Sequence, residues 1–305
     1  MHIDVRPLPA ADIDAADAIF RDAFSTFLGA DVFGDSDLLR TRIRAPHVVP
    51  LGAYRCGELV GSNIATWWGS VAYFGPLSVT PKLWDAGIGA RLVEAAVAVL
   101  DGWGAPHQGL FTFANSAKHH WMYQKYGFWP RFLTAIMSRP VVGTEPVSGT
   151  LLSAGPRPVL VDACAAVTDA ILPGLDVRGE IDSVLDQRLG DVVLVGPPDA
   201  PLGFAVCHTG PGTEAGSGIA YVKFAAVAPG ADAPAAFAAL LAACQGYAAA
   251  SGARRLTLGV NTARHDAYRA LLAAGFRTDL PGLTMHRPNE PGYDRPDVYV
   301  VDDWR

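Results

Sequence analysis

Between Thr80 and Leu92 the chain reads TPKLWDAGIGARL, a Pro and two Gly set between a β-like run and an Ala/Val/Leu-rich helical run. Such residues suit the binding of an anion. Unpaired backbone N–H groups at a helix start converge on one point, and the helix dipole favours negative charge there. Gly87 and Gly89 let the backbone approach a phosphate with no Cβ in the way. Neither GxGxxG nor GxxxxGK[ST] is present, so the turn is not a dinucleotide fingerprint or a P-loop. Alone, GxG before a helix also fits a tight strand–helix turn that holds nothing.

The elements around the turn occur twice. Val79 and Pro81 recur as Val227 and Pro229, Gly104-Ala105 as Gly252-Ala253, and Gly127-Phe128 as Gly275-Phe276, each 148 residues on. NSAKH at Asn115–His119 recurs as NTARH at Asn261–His265, 146 residues on. Anchors in one order at nearly one offset indicate a duplicated unit. The stretch from Pro140 to Pro158 is dense in Pro, Gly, Ser and Thr and reads as a linker. The expected divisions are residues 1–140, a linker over 141–158, a second copy over 159–288, and a tail over 289–305.

Within the first copy HIDVRPL is a strand and ADIDAADAIFRDAF a helix. VPLGAYRC and LVGSNIATWW form a hairpin, and SVAYFGPLSV is a further strand leading into the turn. Ile88, Leu92, Ala96 and Val99 mark one face of an amphipathic helix. GLFTFA is a strand, SAKHHWMYQKY a helix and FLTAIMSRPV a closing strand. The order predicts an α/β (α+β) fold in two tandem units, each a mixed, mostly antiparallel sheet flanked by helices.

With those elements in place, the sequence resembles the GNAT superfamily of acyl-CoA-dependent N-acyltransferases over most of 1–140 and more faintly over 159–288. The features that carry the likeness are Val79-x-Pro81, the turn Trp84-Asp85-Ala86-Gly87-Ile88-Gly89, Asn115 at the next strand end, and Tyr123 four residues before Gly127-Phe128. The resemblance implies that the backbone of Trp84, Asp85, Ala86, Gly87, Ile88, Gly89 and Ala90 cradles the pyrophosphate of acetyl-CoA. It implies that the backbone of Leu77 and Val79 pairs with the pantetheine arm, that Asn115 contacts the cofactor, and that Tyr123 protonates the departing thiolate.

Some residues depart from the pattern. Trp84 replaces an Arg or Gln, Asp85 puts a carboxylate beside the phosphates with Lys82 as its expected offset, and SVAYFGPLSV carries no acidic base. The second turn has lost both glycines, with Phe237 at the place of Gly89, while Pro234 removes an N–H and Leu271 stands where Tyr123 does. Tyr268, one turn earlier, is a weaker substitute donor. The second copy is expected to be structural, or a wall of the substrate pocket. His119 and His120 adjoin the acid, but His265 recurs in the second copy, which favours a helix-start role for His119. Asp31, Asp35 and Asp37 are candidates to meet a cationic amine, and Trp67-Trp68 to line a pocket.

Bulk properties narrow the alternatives. A net charge of −6, with 24 scattered Lys and Arg, leaves no footprint for nucleic acid or an anionic membrane. The N-terminal stretch MHIDVRPLPAADID lacks a signal-peptide core, and runs such as LVEAAVAVL are too short to cross a bilayer. Cys56, Cys164, Cys207 and Cys244 lie far apart, so neither a disulfide framework nor a zinc site is expected. The tail RPDVYVVDDWR alternates like a strand and is expected to pair with a sheet edge, within the chain or across a homodimer. The expectation is a cytoplasmic, metal-free acetyl-CoA-dependent N-acetyltransferase for a small-molecule amine, active in its first copy. The alternative is a non-catalytic acyl-CoA-binding sensor or scaffold.

Overall fold

The computed structural model describes residues 2–143 and 148–305. The first half runs β1 (Asp4–Pro7), α1 (Ile13–Leu28), α2 (Leu38–Ile43), β2 (Val48–Arg55), β3 (Glu58–Trp68), β4 (Val71–Phe74), β5 (Ser78–Val79), α3 (Ile88–Gly102), β6 (His107–Phe113), α4 (Ala117–Gln124) and β7 (Trp129–Pro140). The second runs β8 (Thr150–Leu151), α5 (Arg157–Ile171), α6 (Arg178–Asp186), β9 (Gly190–Val195), β10 (Gly203–Gly210), β11 (Gly216–Val227), α7 (Ala233–Ala250), β12 (Arg255–Asn261), α8 (His265–Ala273) and β13 (Arg277–Arg287), with β14 (Val300–Val301) in the tail. Part of the segment read as linker, 144–147, lies outside the described residues; β8 and the start of α5 fall in the remainder.

The described strands join into one sheet in the order β1-β2-β3-β4-β6-β13-β7-β12-β11-β10-β9-β8. It is antiparallel except where β4 meets β6 and β11 meets β12. The closing strands are exchanged between the halves. β13 inserts beside β6, with Gly282 opposite Phe113 and Arg287 opposite Gln108. β7 pairs with β12, with Thr134 opposite Asn261 and Pro140 opposite Arg255. Neither half therefore completes its sheet with its own last strand.

Alternation along the strands sends successive side chains to opposite faces. Ala72, Phe74, Val193, Val195, Ala205 and Cys207 pack beneath α3 and α7. Their neighbours Val71, Tyr73, Val192, Leu194, Phe204 and Val206 pack with α5 and α6. On that second face, α1 and α2 cover Ile64 through Phe20 and Leu39. By length and composition α7 could cross a membrane, but Phe237, Leu240, Ala243 and Cys244 are buried in the second core.

Two buried histidines make stability pH-dependent. His107 Nε2 lies 3.1 Å from His286 Nδ1. Burial, reinforced by His286, lowers His107 to about 4, and burial lowers His208 to about 4 as well. An unfolded histidine titrates near ~6.5. As pH falls through that window the unfolded chain takes up protons first. Stability should then drop between about pH 6.5 and 4, by up to ~1.4 kcal/mol per pH unit for each residue. Glu180 and Asp294 are raised by burial but pulled further down by their cationic neighbours, to about 2, which extends the loss below pH ~4. Asp302, pushed up by burial, works in the opposite sense. Urea midpoints that stay level from neutral to mildly acidic pH would contradict this account.

Candidate functional site

The strand expected over SVAYFGPLSV is broken. β4 runs parallel to β6 from Val71 opposite His107 to Phe74 opposite Leu110, and the chain then turns away at Gly75-Pro76. When it resumes as β5 it pairs with β3 alone, Ser78 opposite Ser62 and Val79 opposite Gly61. Gly61 permits that approach, since a Cβ there would stand 2.7 Å from the Ser78 carbonyl oxygen. β6 continues straight as Phe111–Phe113, so an open slot separates it from β5. Thr80 N–H donates to Val60 O at 2.9 Å, which turns Ser78 and Thr80 toward β3 and leaves Leu77 and Val79 facing the slot.

The turn lies at the end of this slot. A short 3-10 turn, Pro81–Leu83, follows β5. Trp84 then folds back so that its Nε1–H donates to Val79 O at 2.8 Å. The indole thus ties the turn to the strand, a role of its own at a position where the resemblance suggested only a lost polar contact. Asp85 and Gly87 hold positive φ, 66° and 79°, and α3 starts at Ile88. Trp84 to Gly87 are exposed. The N–H groups of Ile88, Gly89 and Ala90, in the first turn of α3, have no intrahelical acceptor.

Gly89 is informative because nothing in the fold demands it. Its φ is helical, and a Cβ would meet Met122 Sδ at 3.7 Å and Leu77 Cδ2 at 3.9 Å, ordinary contacts. The missing side chain leaves room in front of the turn.

Tyr123 on α4 is buried, with its ring 5.8 Å from Phe74 and stacked at 6.3 Å on His119. Burial pushes its phenol well above the usual range, and the Thr112 side chain on β6 offsets this in part. Asn115 is exposed in the turn after β6. Leu77, Val79, the Trp84–Ala90 turn and Tyr123 are therefore gathered around one slot, with Asn115 at the end of its far wall.

Several other expectations are corrected. The partner of Asp85 is Lys118, at the start of α4, in an exposed ion pair; Lys82 does not take that place. Asp31 accepts from Phe33 N–H within its own loop, Asp35 accepts from Ser217 N–H at 2.8 Å, and Asp37 pairs with Arg40. These acids fasten the loop after α1, partly onto the second half. Trp68 is buried and donates to Glu180 at 3.0 Å, while Trp67 stays exposed near Trp103. His119 does take the helix-start position, its Nδ1 2.8 Å from Ser116 Oγ.

The second half has the corresponding slot, and the tail fills it. β11 pairs with β12 from Ile219 to Val222, then parts from it. In the gap lies β14, with Val301 opposite Ala225 and Val300 opposite Ala226, and Val227 N–H donates to Tyr299 O at 3.1 Å. Val227 is the counterpart of Val79, so the N–H that faces open space in the first half meets a peptide carbonyl in the second. Phe237, at the place of Gly89, is fully buried with its ring 5.2 Å from Tyr299. Leu271, at the place of Tyr123, is fully buried, and Tyr268 packs against the same core.

The tail was expected at a sheet edge; it lies inside the sheet instead. Its alternation was legible, its destination was not. Thr112, Lys118 and Arg264 were also missed, although the paired NSAKH and NTARH already set a basic residue at the same place in both halves. A small cavity between the halves, about 10 Å³ and lined by residues including Arg42, His47, Glu180, His208 and Glu214, shares no residue with either slot and has room for about one water. No cluster of metal-ligating side chains occurs among the described residues.

Residues 16–128 match the acetyltransferase (GNAT) family. That stretch, within the first half of the chain, is similar to GNAT acetyltransferases. No curated protein matches the sequence. Among solved structures, it is similar to a Pyrococcus horikoshii protein whose acetyltransferase assignment is provisional, at 14% identity and TM-score 0.68, covering 99% of this chain and 95% of that one. It is also similar to a GCN5-related N-acetyltransferase from Sphaerobacter thermophilus, at 16% identity and TM-score 0.60, over 93% and 95% of the two chains. A third, from Anabaena variabilis, has 15% identity and TM-score 0.55 over 94% and 72%. At these identities the likenesses establish the fold.

Proposed function

We propose that the protein is an acetyl-CoA-dependent N-acetyltransferase for a small amine, with one working site in its first half. The observation that carries this reading is the contrast between two equivalent slots, one open beside Gly89, the other closed by Phe237 and the chain's own tail. Acetyl-CoA, when bound, supplies the acyl group as a thioester. The residues fit it: first-turn N–H groups for the pyrophosphate, slot-facing backbone at Leu77 and Val79 for the pantetheine amides and the thioester carbonyl, and space at Gly89. Tyr123, kept protonated by burial, offers its phenol O–H as a hydrogen-bond donor to the departing thiolate.

Calorimetric titration with acetyl-CoA should reveal one site per chain. Tyr123→Phe should retain that site and lower thiol release with an accepted amine by roughly 100-fold, the usual scale for a lost general acid. The second reading, an acyl-CoA binder without chemistry, draws support from the lack of any acidic residue on β4 and β5 and from the engagement of Asp31, Asp35 and Asp37 elsewhere. A protein that binds acetyl-CoA yet releases no thiol with any amine, with or without Tyr123, is that binder.

A further inference from the structure

We propose that Lys118 is a ligand for the cofactor's pyrophosphate, held in reserve by Asp85, and that binding transfers its ammonium from the carboxylate to the phosphates. The proposal rests on the acyl-CoA reading of the first slot. Lys118 stands at the start of α4 and reaches across to Asp85, inside the turn at the end of that slot. Both side chains are largely exposed, 60% and 77%, and an ion pair so open to water is weakly held. A pyrophosphate presents more negative charge than one carboxylate and more acceptor oxygens, so it outcompetes Asp85 for the same cation.

The second half shows what this position does when its slot is full. Arg264 occupies the place of Lys118 in the NTARH repeat, and its Nη1–H donates to Val300 O at 2.8 Å, a carbonyl of the strand lying in the slot. Arg264 caps α8 and Lys118 is the second residue of α4, so both cations stand at a helix start beside their slots. In the first half no described strand of the chain pairs along β5 on that side, and the cation pairs with Asp85.

Asp85 completes the device. It is a non-glycine residue at positive φ, sparsely populated for such residues, and it places a negative charge next to the phosphates. Its carboxylate disfavours an anion in the turn directly, and it also occupies the ammonium that would attract one. Asp85→Asn removes both effects, whereas Lys118→Gln removes the attraction.

CoA and dephospho-CoA titrated calorimetrically into the full chain and its variants test this without reference to turnover. Lys118→Gln should weaken both ligands by roughly tenfold, and by less at high salt. Asp85→Asn should tighten both by several-fold, with a clearly smaller gain when Lys118 is already Gln. Unchanged affinity in Lys118→Gln, or weaker binding in Asp85→Asn, overturns the proposal. A loss confined to CoA moves the contact to the 3′-phosphate and overturns it as well. If the wild-type chain binds neither ligand, the acyl-CoA reading fails first and takes this one with it.

Discussion

Replacing Gly89 with Phe should abolish acetyl-CoA binding and leave the protein folded. The second half carries Phe at this position, fully buried with its ring packed on Tyr299. In the first half the same ring would enter an open slot. A Cβ at Gly89 meets nothing closer than 3.7 Å, and the backbone is helical, so the substitution strains neither packing nor φ. Loss of a helical glycine even favours the helix by up to ~1 kcal/mol. Gly87 would be a poorer probe, because its φ of 79° makes any side chain costly whatever the ligand does. The expected result is at least a 100-fold loss of affinity, more than ~2.7 kcal/mol, with the melting temperature little changed. Affinity kept intact would mean that the turn does not hold the cofactor, and the proposed function would have to be withdrawn.

What the sequence revealed and what it concealed follow from how local each feature is. The α/β class, the element order and the turn at Gly87–Gly89 were legible because periodicity, Gly and Pro act within a few residues of themselves. The recurring anchors were legible because they kept their spacing. The exchange of β7 and β13 was not, since FLTAIMSRPV reads as a closing strand whichever partner it finds. Pairing is decided by edges that lie more than a hundred residues apart, such as Gly282 opposite Phe113. The tail was hidden for the same reason. Val300 and Val301 look like an edge strand, and only the gap between β11 and β12 shows where they go. Lys118 and Asp85 were each visible, and their meeting required α4 to be folded back over the turn.

Arg264→Ala should be among the most destabilising single substitutions in the chain, whereas Lys118→Ala, at the same place in the repeat, should cost little. Arg264 is 2% exposed and bonds three groups at once: Asp294 at 2.7 Å, Asp302 at 2.9 Å and Val300 O at 2.8 Å. Around it, Tyr293 Oη–H donates to Asp302 at 2.9 Å and Trp304 Nε1–H to Tyr293 Oη at 3.0 Å, so this guanidinium lies at the centre of a network that helps to fasten the tail. Its removal leaves two buried carboxylates without this guanidinium and a carbonyl without this donor, which costs about 3–5 kcal/mol, a large part of the ~5–15 kcal/mol that holds a typical domain together. The pH dependence identifies the cause. Without Arg264 burial pushes the two carboxyls up, so the variant is penalised at neutral pH and recovers as pH falls toward about 4 and they protonate in the folded state. Hydrogen exchange at Val300 and Val301 should quicken in the same variant, because β14 loses its anchor on α8. A uniform destabilisation at every pH, with exchange in the tail unaltered, would show that Arg264 acts only by filling space.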